Sequence, residues 1–323
     1  MSNDIHQNPG PLSNDDTSVS SYHEVLSSGL SILHLNIQSL RPKIDILEIE
    51  AQPYDVLVFT ETWLSPDVSN ECLRIPNFCT PFRCDRIGRV GGGVAVYVRN
   101  GLACRERTDL SIMGLEALWF EIIKDSRKLL VGGFYRPPAS NNNYWSLIEQ
   151  SIEQAHNEHS DNLIITGDFN INLNTTLNNK MANLVSSYNA EQMISQSTYF
   201  TEHSHSLIDL IIVKHTSQVI TSFVADPFIP NLVRFHCPVV VVLKFNKSKC
   251  NTYKRRIWLY DRGDYGLYNE KLASVDWDTL LNNENTNKIT NNVTNKILQV
   301  AQETIPNKQV TIRPSDNPWM KII

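Results

Sequence analysis

The sequence is short of basic charge. Its 29 lysines and arginines stand against 34 aspartates and glutamates, for a formal net charge of −5. That excludes a protein living on nonspecific attraction to nucleic acid, whose affinity grows with each phosphate neutralised. An enzyme that meets DNA through a local surface stays open. Long apolar runs are also missing. No stretch reaches the roughly 18 residues a membrane span needs, so no membrane partner is expected. The six cysteines never stand as C-x-x-C. Zinc sites and a disulfide framework are disfavoured, and a reducing compartment fits better. The N-terminal "MSNDIHQNPGPLSNDD" has neither a basic n-region nor an apolar h-region. The expected location is therefore intracellular, nuclear or cytoplasmic, and not secreted. No internal repeat is present. "RVGGGVAVYV" lacks the spacing and the lysine of a phosphate-cradling loop and reads as a turn feeding a strand.

What is present is an ordinary globular composition, 41% apolar and 20% charged, enough for a sizeable core. Residues 1–28 are polar, without apolar periodicity, and are expected to be a disordered lead-in. From 29 to 246 short β-rich runs recur: "SILHLN", "VLVFTE", "GVAVYV", "LWFEII", "LLVGGFY", "NLIITGDF", "LIDLIIV", "VITSFVA" and "PVVVVLKF". Helical patterns fall at 41–50, 144–156 and 181–188. Nine strands with few helices do not suit one doubly wound sheet. They suit two packed sheets with helices outside. From 247 to 323 the pattern turns amphipathic and helical. Between the two regions, Lys244 to Arg256 holds six basic residues and no acid, which reads as a solvated linker or a phosphate-contacting patch.

Polar residues stand at the ends of the buried runs, where loops gather them at one edge. Asn36 closes "SILHLN" and Glu61 closes "VLVFTE". Tyr135 ends "LLVGGFY", stiffened by Arg136, Pro137 and Pro138. Asp168 and Asn170 lie two apart in "ITGDFN", on one face of an extended chain. Asp209 interrupts "LIDLIIV", where a carboxylate is costly unless paired or metal-bound. His236 precedes "CPVVVVL" and reads as either a satisfied core histidine or a cleft residue.

In order, "LNIQSL", "ETWL", "FYRPP", "GDFNIN", "SLIDLII" and "HCPVVVVL" resemble the endonuclease/exonuclease/phosphatase superfamily, and within it the endonuclease domain of non-LTR, jockey-like LINE retrotransposons. The resemblance spans about Leu30 to Phe245. It implies a four-layer α/β sandwich, two packed mixed β-sheets flanked by helices, here with a helical C-terminal extension. It implies Mg²⁺- or Mn²⁺-dependent DNA cleavage. Glu61 and Asn36 would stand at the metal, and Asn36, Tyr135 and Asn170 at the scissile phosphate. Asp168 would position or activate the attacking water, Asp209 would be a further cleft acid, and His236 would assist at the phosphate. The segments after 246 resemble the linker that such elements carry before a reverse transcriptase, so a longer parent chain is expected. No [FY]-x-D-D polymerase motif occurs. The alternatives are a silent nucleic-acid-binding remnant and another phosphoesterase of the same superfamily.

One departure stands out. The superfamily pattern "SDH" reads Arg234, Phe235, His236 here. The expectation is that His236 loses its carboxylate partner and that activity is weakened, unless Asp209 or Asp226 replaces it.

Overall fold

The computed structural model describes residues 24–124, 127–158, 162–175, 180–229, 232–245, 253–282 and 285–312. The chain divides into two compact units, Met1–Lys249 and Cys250–Ile323. In chain order the strands of the first unit are β1 (Leu30–Asn36), β2 (Val56–Thr60), β3 (Phe82–Cys84), β4 (Val94–Val98), β5 (Ala103–Glu106), β6 (Ala117–Lys124), β7 (Arg127–Tyr135), β8 (Leu163–Asp168), β9 (Glu191–Gln192), β10 (Tyr199–Phe200), β11 (His205–Ser206), β12 (Asp209–Val213), β13 (Val219–Val224), β14 (Phe235–His236) and β15 (Val239–Leu243).

One six-stranded sheet runs β13-β15-β1-β2-β4-β3, and a second runs β5-β6-β7-β8-β12-β9. Each has a parallel pair at its centre, β1 with β2 and β7 with β8, and antiparallel neighbours outside. A parallel pair needs a crossover, which a helix supplies. Ile44–Glu50 crosses between β1 and β2, and Asn142–Glu158 between β7 and β8.

The sheets face each other across the main core. In β1, Leu30 and Ile32 enter that core while Leu33 and Leu35 enter a second one, shared with Ile44 and Leu47 of the outer helix. Both faces are covered, so every residue of β1 is buried, the polar Ser31, His34 and Asn36 included. Gly133 marks the close approach of the sheets: a Cβ there would lie 2.7 Å from Cγ1 of Val58. Trp145, Ile148 and Ile152 of Asn142–Glu158 cover the outer face of the second sheet. Two sheets and two outer helical layers make the four-layer α/β sandwich expected. All nine β-rich runs form strands. The short β3 and β5 had too little pattern to be read.

Three details differ from the sequence reading. Residues 24–27 form a helical turn with Leu26 buried, so order begins before residue 29. The lead-in reading otherwise falls on residues outside those described. Asp209 opens β12 rather than interrupting it, and Leu207 and Ile208 precede the strand. The second unit has its helices, Tyr265–Ala273, Trp277–Leu281 and Thr286–Thr304, but also an antiparallel pair, β16 (Tyr253–Trp258) with β17 (Asn307–Ile312). Those two strands lie about 50 residues apart, beyond the reach of local patterning. Among the described residues no helix is long and apolar enough to cross a membrane.

Candidate active site

Strand direction alone assembles the site. Asn36, Tyr135 and Asp168 are the last residues of the parallel strands β1, β7 and β8, and Glu61 follows β2 directly. Parallel strands end at the same edge of their sheet, the usual place for chemistry in such sheets. β12 and β15 run antiparallel to these strands, so their starting ends, with Asp209 and with His236 just ahead, reach the same edge. Register completes the alignment. Tyr135, Asp168 and Asp209 stand in one row across the second sheet, and Asn36 pairs with Thr60 across the first.

Side chains then bridge the two sheets. Asn36 Nδ2 donates to Asp168 Oδ2 at 2.8 Å, and the backbone N–H of Asn170 donates to Asp168 Oδ1 at 2.9 Å. Asn170 Nδ2 donates to the Arg136 carbonyl at 2.8 Å. The Tyr135 hydroxyl donates to Glu61 Oε1 at 2.8 Å, and Trp63 Nε1 donates to Oε2 at 3.3 Å. Glu61 and Asn170 both have left-handed backbones, φ 50° and 49°. Non-glycine residues adopt that conformation at a cost that surrounding structure must hold, and such outliers cluster at functional sites.

His236 keeps a carboxylate partner. Its Nδ1 lies 2.8 Å from Asp209 Oδ2, which also accepts from Thr198 Oγ1 at 2.8 Å. Asp209 Oδ1 lies 3.1 Å from Nε2 of His34, whose Nδ1 faces the Val58 carbonyl at 3.1 Å. Of the outcomes expected from Phe235, the structure has the one in which another acid, Asp209, supports His236, for a geometric reason. Neighbouring residues in a strand point to opposite faces. In β14, His236 pairs with Tyr199, while Phe235 pairs with Phe200 and stacks on it, centroids 5.3 Å apart at 18°. Phe235 therefore takes the opposite face of β14 from the imidazole that Asp209 holds. Of the two candidate carboxylates it is Asp209, and not the exposed Asp226, that holds the ring.

Two carboxylates facing each other in register cannot both ionise freely. Burial and the Asp209 charge push the Asp168 carboxyl up to about 7, against the pull of His236, Asn36 and Asn170. Burial acts on Asp209 in the same sense, but His236 and His34 overcome it and hold Asp209 well below the usual carboxylate range. For His236, burial disfavours the cation, yet the charges of Asp209, Asp168 and Glu61 raise it to about 9. Burial and the Glu61 carboxylate push the Tyr135 phenol far above its ordinary value, so it stays protonated and donates.

The donor set suits a hard divalent cation. Glu61 is half-buried, so its carboxylate meets the cleft, and Asn36 adds an amide oxygen that accepts only at 3.2 Å from the Gln38 N–H. The hydroxyls of Thr60 and Thr62, flanking Glu61, are buried without a hydrogen-bond partner. One carboxylate with neutral oxygens is what Mg²⁺ selects. Ligand atoms of Asp168, Asp209 and His236 also lie within 4.8 Å of one another. Both Asp209 oxygens are already engaged by protein donors, so this group reads as an acid–imidazole relay rather than a cation cage.

Three participants escaped sequence reading. His34 is fully buried and sits two residues before Asn36, on the same face of β1, so alternation could have found it. Trp63 lay in the quoted "ETWL" without a role. Thr198 precedes Asp209 by 11 residues and lies outside any strand, with no signal in the sequence.

The fold and this edge of polar residues define a four-layer α/β sandwich with its polar groups gathered at one end of both sheets. A family model described as the endonuclease/exonuclease/phosphatase family matches residues 33–234, and the chain belongs to that family. Its members are phosphodiester hydrolases, generally metal-dependent. No curated protein matches the chain. Among solved structures it is similar to the endonuclease domain of TRAS1, a telomere-specific non-LTR retrotransposon, at 12% identity over 68% of this chain and 100% of that one, TM-score 0.55. It is also similar to the 3′ phosphatase NExo from Neisseria bound to product DNA hairpin, at 15% identity over 66% and 99%, TM-score 0.53. A third is the 3′-5′ exonuclease NExo from Neisseria meningitidis, at 15% identity over 67% and 100%, TM-score 0.52. Likeness at these identities is likeness of fold.

The Phe235 geometry makes a prediction. Phe235→Asp should destabilise the fold by about 1–2 kcal/mol, read as a lower melting temperature, because half-buried Phe235 loses its stacking on Phe200. It should leave any alkaline limb of activity where it is, since Asp209 already supports the ring. A limb displaced upward in Phe235→Asp would show that residue 235 reaches the imidazole after all.

Proposed function

We propose that the chain is a divalent-metal-dependent endonuclease that nicks DNA, of retrotransposon origin, and that the imidazole pairing needed for full activity is intact. The observation that carries this reading is the Asp209–His236 contact, with Asp168 directly opposite in register and joined to Asn36 across the cleft. The motif order from "LNIQSL" to "HCPVVVVL" supports the retrotransposon branch. The second unit is read as the linker that precedes a reverse transcriptase in such elements.

Phosphodiester hydrolysis needs a water in line with the leaving oxygen and positive charge at the non-bridging oxygens. Asp168 is the group to orient that water and accept its proton. Burial raises its basicity for the task, and Asn36 and Asn170 fix both of its oxygens. His236, cationic between Asp209 and the cleft, keeps its Nε2–H for a phosphate oxygen. Asn170 keeps a second amide N–H as a neutral donor beside it, and the Tyr135 hydroxyl would become one if it turned from Glu61 to the phosphate, which stabilises charge without adding any. A Mg²⁺ or Mn²⁺ ion held by Glu61 and Asn36 would supply Lewis-acid stabilisation of the phosphate.

The test is nicking of supercoiled plasmid in Mg²⁺ or Mn²⁺, beside intact duplex, abasic duplex, inositol polyphosphate and poly(A). Intact duplex should be nicked, EDTA should stop the reaction, and Glu61→Ala should be slower with a raised Mg²⁺ requirement. Salt-dependent DNA binding with no cleavage in either metal would replace this reading with that of a silent binding module.

A further inference from the structure

The glycine-rich stretch between β3 and β4 has no part in the chemistry above. Residues 85–93 stand at the catalytic edge because β4 runs antiparallel to β2. Gly88, Gly91, Gly92 and Gly93 all have positive φ, which lets the chain form a narrow arm. Its base is fixed to the site. The Trp63 backbone N–H donates to the Gly92 carbonyl at 2.9 Å, and the Gly93 backbone N–H to Glu116 Oε2 at 2.6 Å. Arg86 pairs with Glu116 at 2.6 Å, and its guanidinium lies 5.5 Å from the centroid of the Tyr135 ring. Trp63 and Tyr135 are the two donors to Glu61.

The tip is a different surface. Ile87 is 85% exposed and Val90 89%, with the exposed Arg89 between them. The nearby acids are taken: Asp85 pairs with Arg83 at 2.6 Å and Glu116 with Arg86. The tip therefore presents two aliphatic side chains and a positive charge, on an arm anchored beside Glu61. Two such side chains are far too small a patch for a stable protein interface, which takes ~800 Å² per partner. They match the wedges that nucleic-acid-bending proteins insert at flexible base steps.

We propose that Ile87 and Val90 form an apolar wedge that enters a groove of duplex DNA beside the scissile phosphate and unstacks a base step, with Arg89 on the adjoining backbone. The proposal rests on the DNA-nicking reading and adds the element that selects deformable duplex.

The test is the full chain carrying Ile87→Ser and Val90→Ser together. Both positions are on the surface, so the melting temperature should hold. Binding is measured by anisotropy in Ca²⁺ on a duplex carrying 2-aminopurine at successive steps around the mapped nick. Wild type should raise 2-aminopurine fluorescence at one step. The double variant should lose that signal and bind duplex about tenfold more weakly, since the two lost aliphatic contacts are partly offset by the unstacking the variant no longer drives. Its affinity for a single strand and its hydrolysis of bis(p-nitrophenyl) phosphate should be unchanged. An unchanged duplex affinity and signal would overturn the wedge while leaving nicking in place. So would equal weakening on single strand and duplex. Wild type that neither binds nor nicks duplex would overturn the wedge and the function reading together.

Discussion

Asp209→Asn is expected to slow phosphodiester cleavage by up to about 10⁴-fold, the upper guide being the serine-protease triad, where making the acid behind the histidine an amide costs that much. The side chain keeps its shape but loses the charge that faces two rings, at 2.8 Å from His236 and 3.1 Å from His34. The pH profile separates this from simple damage. His236 is raised to about 9, chiefly by Asp209 against burial, so wild type should stay active until pH rises through 9. In Asp209→Asn that limb should move down toward the ordinary histidine value of about 6.5. Stability follows the same sign. A histidine raised on folding stabilises fully below about 6.5 and loses that contribution as pH rises through 9. Wild type should therefore lose melting temperature over that window, and the variant much less. A variant within tenfold of wild type, with its limb still near 9, would show that Asp209 is not what holds the ring.

Asp168→Asn should abolish most activity, about 10³-fold for a lost general base, and yet melt higher than wild type at pH 8. Asp168 is almost fully buried and its carboxyl is pushed up to about 7 by burial and by Asp209. The folded state thus prefers the proton. Its stabilising effect relative to the unfolded chain is complete below about 3.8 and is lost as pH rises to 7, so above 7 the ionised acid is a net burden. An uncharged isostere removes that burden, and an Asn36 amide turned to match gives up only the long 3.2 Å bond from the Gln38 N–H. Thermal denaturation of both proteins at pH 4 and pH 8 checks it: a gain confined to the higher pH is expected, and none at pH 8 would refute it. Stability lost in keeping a buried acid ionisable is a usual signature of an active site.

The chain order of polar residues, read with β alternation, already placed Asn36, Glu61, Tyr135, Asp168, Asn170 and His236 at or beside strand ends, whereas Asp209, read as interrupting a run, opens its strand. This worked because strand identity is a local property. Runs such as "VVVVL" or "VLVFT", buried on both faces, are recognisable within five residues. β3 and β5 were not, because at three and four residues their pattern falls below that of a loop. The β16–β17 pair was missed because its partners meet only in three dimensions.

What the sequence determined by itself was where the buried strands run and which polar residues stand at or near their ends, because both are local properties. It also carried, in the alternation of β14, the reason Phe235 and His236 cannot serve one another. Only the tertiary structure decided the pairings. His236 is held by a residue 27 positions away, and His34 reaches Asp209 across 175 positions and between two sheets. Such contacts follow from strand direction and register rather than from neighbouring residues. The substitution at 235 that the sequence marked as damage leaves the imidazole with its carboxylate.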